Sequence, residues 1–177
     1  MQKIIRLLRY DWPLHFVLLL TNWLPDNTVF LRFRGYLARF FIGKCGRNIM
    51  LGRNVVFYNP VKINIGNDIY IAFGSWLSAD GEIIIQDEVT IGPYCVIAAS
   101  DHKRVGRSFF NSSVKSEDIH IGKGCWIGAH CVITAGSSIG EGSLLGAGAV
   151  CSGSIPNDVL AGGVPARVIK QLDGDSN

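Results

Sequence analysis

Charge is scarce in this sequence. Only 18% of its 177 residues are Asp, Glu, Lys or Arg, against 48% hydrophobic residues, a balance that excludes a disordered chain. Cysteine pairing is missing too. Cys45, Cys95, Cys125, Cys131 and Cys151 are odd in number, contain no Cys-x-x-Cys pair and accompany no secretory cleavage signal, which excludes a disulfide scaffold. They read as small hydrophobes in a reducing cytoplasm. No apolar run reaches the roughly twenty residues that cross a bilayer; the run from Trp12 to Leu24 is shorter and holds Pro13 and His15. No nucleic-acid recognition motif is present, so nucleic acid is not an expected partner.

The charge that is present is unevenly held. Residues 1–53 carry nine Lys/Arg against Asp11 and Asp26, whereas the remainder carries eight against twelve acids. The amino-terminal third therefore faces something anionic, such as a membrane surface, lipid-linked phosphates or nucleic acid. "MQKIIRLLRYDWPLHFVLLLTNWLP" starts basic and amphipathic and becomes apolar. One reading is a helix in the membrane interface, with Trp12 and Trp23 at headgroup level and Lys3, Arg6 and Arg9 on phosphates. The other is a helix packed on its own domain or on a neighbouring subunit. "TVFLRFRGYLARFF" adds Arg32, Arg34 and Arg39 among aromatics and predicts a short helix with Gly35 in its interior.

From Cys45 onward a six-residue beat takes over: "LGRNVV" (51), "IGNDIY" (65), "IAFGSW" (71), "IQDEVT" (85), "IGPYCV" (91), then "IGKGCW" (121), "IGAHCV" (127), "ITAGSS" (133), "IGEGSL" (139) and "LGAGAV" (145). The first position is always Ile or Leu, the second is often Gly, and the fifth is mostly small or β-branched. A helix would repeat near 3.6 residues. Uninterrupted strands would not carry glycine so often. Short strands joined by tight corners satisfy the pattern, with the aliphatic residue inward and glycine relieving the turn, and stacking them gives a parallel β-solenoid. Coils fall at 45–64, 65–84, 85–120, 121–138 and 139–156. Only 85–120 is swollen, by residues 103–118 directly after Asp101-His102. The segment "IPNDVLAGGVPARVIKQL" leaves the repeat and predicts a short C-terminal helix.

The Ile-Gly hexads, a histidine at the start of a long break, and the closing "NDVLAGGVPARVIK" (157–170) together resemble the left-handed β-helix, or hexapeptide-repeat, acyltransferases. The likeness covers roughly residues 45–170 and is nearest the maltose/galactoside acetyltransferase and polysaccharide O-acetyltransferase branch. It implies an all-β fold: a left-handed parallel β-helix of about five triangular coils over 45–156, after a helical arm (1–44) and before a C-terminal segment (157–177). It also implies a homotrimer with acetyl-CoA in the clefts between prisms, and no metal. In that family a histidine at the position of His102 is catalytic. Trp126 falls beside the cleft, Ala129, Ala147 and Ser152 fall where the pantetheine arm lies, and Arg167 falls near the nucleotide phosphates. Two departures stand out. The arm lacks that branch's acceptor-binding acids, and Gly74 stands where the branch has an asparagine. Both point away from a free sugar and toward a surface polysaccharide (exopolysaccharide, capsule or O-antigen) or its lipid-linked precursor.

The residues support the same chemistry. Acetyl transfer to a hydroxyl needs a base near neutrality, a role suited to histidine. His15 lies in the apolar arm, His120 is expected at a corner, and His130 takes an outward hexad position. His102 alone stands where the repeat breaks. Asp101 is a candidate to orient it, and Asp80, one coil earlier, a candidate to bind the acceptor. Lys103, Arg104, Arg107 and Lys115 read either as solvated charge or as a phosphate clamp. Phe109 and Phe110 read as packing on a neighbour or stacking on a sugar. His102, His120 and His130 lack the spacing of the γ-class carbonic anhydrase site, the main metal-binding rival. Two other readings stay open: N-acetylation of a nucleotide-linked amino sugar, and a non-catalytic trimeric scaffold docking at a membrane through residues 1–42. The expected location is cytoplasmic, at the inner membrane face if the arm docks there.

Overall fold

Each hexad lays down a short strand and a corner, and three such units close one triangular coil. In the computed structural model residues 2–172 are described, apart from Asn111 and the side chains of Gln2 and Lys3. The tail 173–177 and the expected phosphate contact of Lys3 therefore lie outside the described residues. The first face stacks Lys44–Cys45, Ile63–Ile65, Ile83–Ile85, Ile119–Ile121, Ser138–Ile139 and Ser154–Ile155 in parallel. The second stacks Met50–Leu51, Tyr70–Ile71, Thr90–Ile91, Trp126–Ile127, Leu144–Leu145 and Val159–Gly162. The third stacks Val56–Tyr58, Trp76–Ser78, Val96–Ala98, Val132–Ile133 and Val150–Cys151. Cys45, Ile65, Ile85, Ile121, Ile139 and Ile155 lie in one register column. The coil starts read from the hexads hold, and Ile155 opens a sixth, partial coil.

Parity along each strand sorts the side chains. Ile71, Ile91, Ile127 and Ile133 are fully buried, while Trp126 beside Ile127 is exposed. The two recurrent glycines do different work. All ten fourth-position residues, from Asn54 and Asp68 to Tyr94, His130 and Gly148, have positive φ, so the left-handed turn sits there. Second-position Gly128 is needed for another reason: a Cβ would strike the Ala147 backbone of the next coil. Glycine therefore relieves the turn at position four and permits close stacking at position two. Where the fifth residue is Ser or Cys, it has a bond to make. Ser75 Oγ donates to the Gly92 carbonyl (3.1 Å), and the Cys95 and Cys131 thiols donate to Gly128 and Gly146 (3.1 Å each), stitching each coil to the next. Burial pushes the Cys125 thiol up, and the buried cysteines serve as packing and weak donors.

The N-terminal end of the prism is capped by helices α1 (Gln2–Arg6), α2 (Trp12–Thr21) and α3 (Thr28–Ala38). In a parallel ladder the two ends of one peptide point opposite ways. Gly52 N–H bonds Ile71 of the second coil (2.8 Å), so the Leu51 carbonyl turns to the open end. There Arg34, with no exposed surface, donates to Leu51 O (2.5 Å), to Thr21 O and Leu24 O (3.2 Å each) at the end of α2, and to Asp26 (3.1 Å). Gly35 lies against the Ile49 carbonyl, which a Cβ would overlap. Packing of the arm on its own domain is thus one half of the expectation for it.

At the other end the sequence-based expectation fails. Arg167–Gln171 is a strand, not a helix, and pairs antiparallel with Val159–Gly162. The last strand of the second face has a free edge, and the returning chain covers it.

Candidate active site

The insertion leaves the solenoid at the corner between the third and first faces, and the ladder closes behind it. Thr90 N still bonds Cys125 O (2.9 Å) across the gap. Residues 103–118 are only partly a loop. Ser100–His102 pairs antiparallel with Val114–Ser116 as a β-ribbon, in the register Ser100 with Ser116, Asp101 with Lys115 and His102 with Val114. Lys103 N adds a bond to Ser113 O (3.0 Å), and Val105 and Ser108 close a turn around Gly106. The ribbon is anchored at its root. Asp118 accepts from Glu82 N–H (2.7 Å), and Ser100 Oγ donates to Asp80 Oδ2 (3.0 Å).

His102 is exposed on this ribbon, two residues beyond Ser100. Alternation along an extended strand sends Asp101 to the opposite face, where it lies across from Lys115. Glu117 (2.8 Å), with Asp101 contributing less, holds the Lys115 amine above its ordinary value. No hydrogen bond joins the Asp101 carboxylate to the imidazole among the described residues. Asp80 stays beside the root of the ribbon, half-buried, with one carboxylate oxygen held by Ser100. Arg104, Arg107, Phe109 and Phe110 are exposed.

The remaining candidates lie along the two edges of the third face. Ala129 and Ala147 stack at the corner between second and third faces, joined by Gly148 N to Ala129 O (2.8 Å), and Trp126 projects from the second face just before that corner. Ser152 and Arg167 come together around a hollow of about 100 Å³ with Gly153, Ser154 and Ala166. His120 is in a first-face strand paired with Ile84 and Ser138, not at a corner. His15 lines a separate groove of about 240 Å³ between α2 and the first coil, with Asp11, Asn22 and Asn54 on its rim. Among the described residues no three His, Cys, Asp or Glu side chains gather as a metal site. No described helix is long and apolar enough to cross a membrane.

Residues 118–153 match the bacterial transferase hexapeptide (six repeats) family. Over 140 residues the chain is 33% identical to galactoside O-acetyltransferase of Escherichia coli K12, covering 79% of this chain and 69% of that protein. The chain belongs to the hexapeptide-repeat acyltransferases. This acyltransferase is also 29% identical over 152 residues to WcaF of Escherichia coli K12, provisionally named a colanic acid biosynthesis acetyltransferase, covering 84% and 79% of the two chains. A galactoside acetyltransferase solved in complex with coenzyme A superposes with a TM-score of 0.81 at 30% identity, over 90% of this chain and 79% of that one.

One feature of the acyltransferase escaped the sequence. At the corner of Ala129 and Ala147, Arg53 lies over the Phe73 ring (5.6 Å), Phe73 meets Tyr94 edge-on (5.4 Å), and Tyr94 stacks on His130 (5.2 Å, 12° between planes). Tyr94 also covers Gly74, whose Cβ it would exclude. The clue was available: Tyr94 and His130 hold the same fourth hexad position in coils that become adjacent once 103–118 is removed.

Proposed function

We propose that this acyltransferase carries the acetyl group of acetyl-CoA to a sugar hydroxyl of a bacterial surface polysaccharide or its lipid-linked precursor. His102 acts as general base. The imidazole takes the hydroxyl proton as oxygen attacks the thioester carbonyl; collapse breaks the C–S bond, and the departing thiolate takes that proton back. No covalent acyl-enzyme is needed, because the thioester is already activated. Backbone N–H groups of the cleft wall hold the transient oxyanion. Trp126, Ala129, Ala147 and Ser152 line the pantetheine path, and Arg167 meets the nucleotide phosphates. Asp80 binds the acceptor through its second carboxylate oxygen.

The observation that carries the reading is the single break in an otherwise regular wall, with an exposed histidine at its root, in a chain related to sugar O-acetyltransferases. The positions of the candidates support a homotrimer. His102 and Asp80 sit at one edge of the third face and Ala129 and Ala147 at the other, so one prism does not enclose both, whereas abutting prisms bring edge to edge. Enzymes that modify lipid-linked glycans meet them at the cytoplasmic membrane face, where residues 1–42 would touch lipid.

The test is His102→Ala with acetyl-CoA and a panel of glycan acceptors. The variant should lose roughly 10²–10⁴-fold in kcat while acetyl-CoA still raises its Tm by mass action. Full activity in the variant would end the assignment. Mild base treatment of the product should release acetate from an ester; a base-stable amide would indicate N-acetylation instead.

A further inference from the structure

The arm has two apolar sides, and the prism uses only one. On α2, Leu14, Leu18 and Thr21 are buried on the first coil. Residues two positions away point about 200° round the helix, and there Trp12, Phe16, Leu19 and Leu20 are exposed. Ile4, Ile5 and Leu8, before and within the π-helical turn Leu7–Asp11 that leads into α2, are exposed too, as is Trp23 (78%) just beyond its end. On α3 the buried set is Arg34, Gly35 and Ala38, the outward set is Val29, Phe33 and Tyr36, and Phe40 in the 3-10 turn that follows is exposed as well. A helix apolar all round is ordinarily covered on every side, so the outer face of this hairpin awaits an occupant.

We propose that the occupant is the surface of an anionic lipid bilayer, on which the hairpin lies flat. Three observations favour lipid over a second copy of the chain. Asp11 and Asp26 are engaged by Arg6 and by Arg34 with Arg53, whereas Arg9, Arg32 and Arg39 have no carboxylate within ion-pairing distance among the described residues. Free cations beside exposed aromatics match phosphate headgroups over acyl chains. Trp12 and Trp23 stand at opposite ends of the α2 stripe, where their amphipathic rings suit the interface. The hairpin also covers the end of the prism, not a side, so a side-by-side trimer would leave its outer face open. In the trimer proposed above the three arms share one end and act together; the contact of a single arm does not depend on that reading or on the chemistry at His102.

Full-length protein is floated with vesicles of phosphatidylglycerol and phosphatidylcholine, and with phosphatidylcholine alone. Co-flotation with the anionic vesicles is expected, declining as salt rises. Arg9→Gln, Arg32→Gln and Arg39→Gln together should weaken it by roughly tenfold or more, and Trp12→Glu with Leu20→Glu should abolish it. A rise in Tm with acetyl-CoA, retained in every variant, reports intact coils; its loss in the wild type would break the catalytic reading alone. If the Glu variant fails to fold, the Arg variant and the salt series decide. Wild-type protein that stays at the bottom of both gradients overturns the proposal, as does a Glu variant that floats like wild type. So does light scattering that shows the Glu variant falling into smaller assemblies while the wild type ignores vesicles, because the face would then join copies of the chain.

Discussion

In the coils the ladder decides which side chains go inward. Ile71, Ile91 and Ile127 point inward without exposed surface, while Tyr70, Thr90 and Trp126 beside them face out, and the ladder fixes that choice residue by residue. In α2 the choice is doubled: Leu14 and Leu18 go to the core, and Phe16 and Leu19 to the outside. The difference lies in how each region satisfies its backbone. A coil gives its N–H and carbonyl groups to the coils beside it, so it is bonded to its own kind on both sides. A helix satisfies its backbone internally, so what joins it to the prism is side chains: Arg34 reaches Leu51 O while tying Thr21 O, Leu24 O and Asp26 of the arm together, and Asp26 and Asn22 accept from the Arg53 and Asn54 N–H groups.

Arg34→Ala is therefore the change that separates the two regions most sharply. It removes the donor of Leu51 O and Leu24 O and one of the two donors of Thr21 O, and should cost about 3 kcal/mol, the lower end for breaking a buried charged pair. Hydrogen exchange should show the amides of α2 and α3 losing protection while those from Ile63 onward keep theirs. Arg34→Lys should recover little, because an ammonium lacks the planar fork that reaches two helix carbonyls and a strand carbonyl at once. Unchanged exchange in the arm would mean that hydrophobic contacts of Leu14 and Leu18 hold it without the clip.

Within the wall the comparison becomes chemical. Ser75 Oγ donates to Gly92 O (3.1 Å) and accepts from Cys95 N–H (3.2 Å), both buried. Ser75→Ala should cost about 1–2 kcal/mol in urea unfolding, the penalty of two buried groups losing a partner. Ser75→Cys should restore most of the donor half, since Cys95 and Cys131 make that bond with sulfur one and two coils further on. Equal losses for Ala and Cys would show that the fifth position selects for size alone.

The same contrast explains what the sequence made readable. Coil starts at Cys45, Ile65, Ile85, Ile121 and Ile139 were legible because a ladder converts a six-residue period directly into stacking. The break after His102 was legible as a departure from that period. Arg34 was not: in "FLRFRGYLARFF" it looks like the outward cations Arg32 and Arg39, and only the carbonyls at the end of α2 and at Leu51 distinguish it. The strand Arg167–Gln171 was missed because its conformation comes from the free edge of Val159–Gly162, a partner set by the fold and not by local pattern. The partner of Asp101 was hidden for a simpler reason: its position across from Lys115 follows only once the segment is known to be a strand of a ribbon.

A finer distinction runs along the corner between first and second faces, where side-chain oxygens accept from the backbone of a neighbouring coil. Asn67 does so for Arg47 N–H (2.9 Å), Gln86 for Lys123 N–H of the following coil (2.8 Å), and Asn157 for Glu141 N–H (3.0 Å). Asp87 does the same for Asn67 N–H (2.7 Å) but carries a charge. That backbone bond, with help from the Asn67 side chain, holds its carboxyl below the usual carboxylate range. A carboxyl whose folded-state pKa is depressed contributes stability that is present above its unfolded value, near 3.9, and is lost as pH falls through the folded value. Asp87→Asn keeps the acceptor and removes the titration. The urea midpoint of the wild type should therefore exceed that of the variant at pH 7, and the gap should close below about pH 4. A gap that persists at acid pH would mean that the shape of the side chain, which Asn67 and Asn157 share without charge, is what the corner requires.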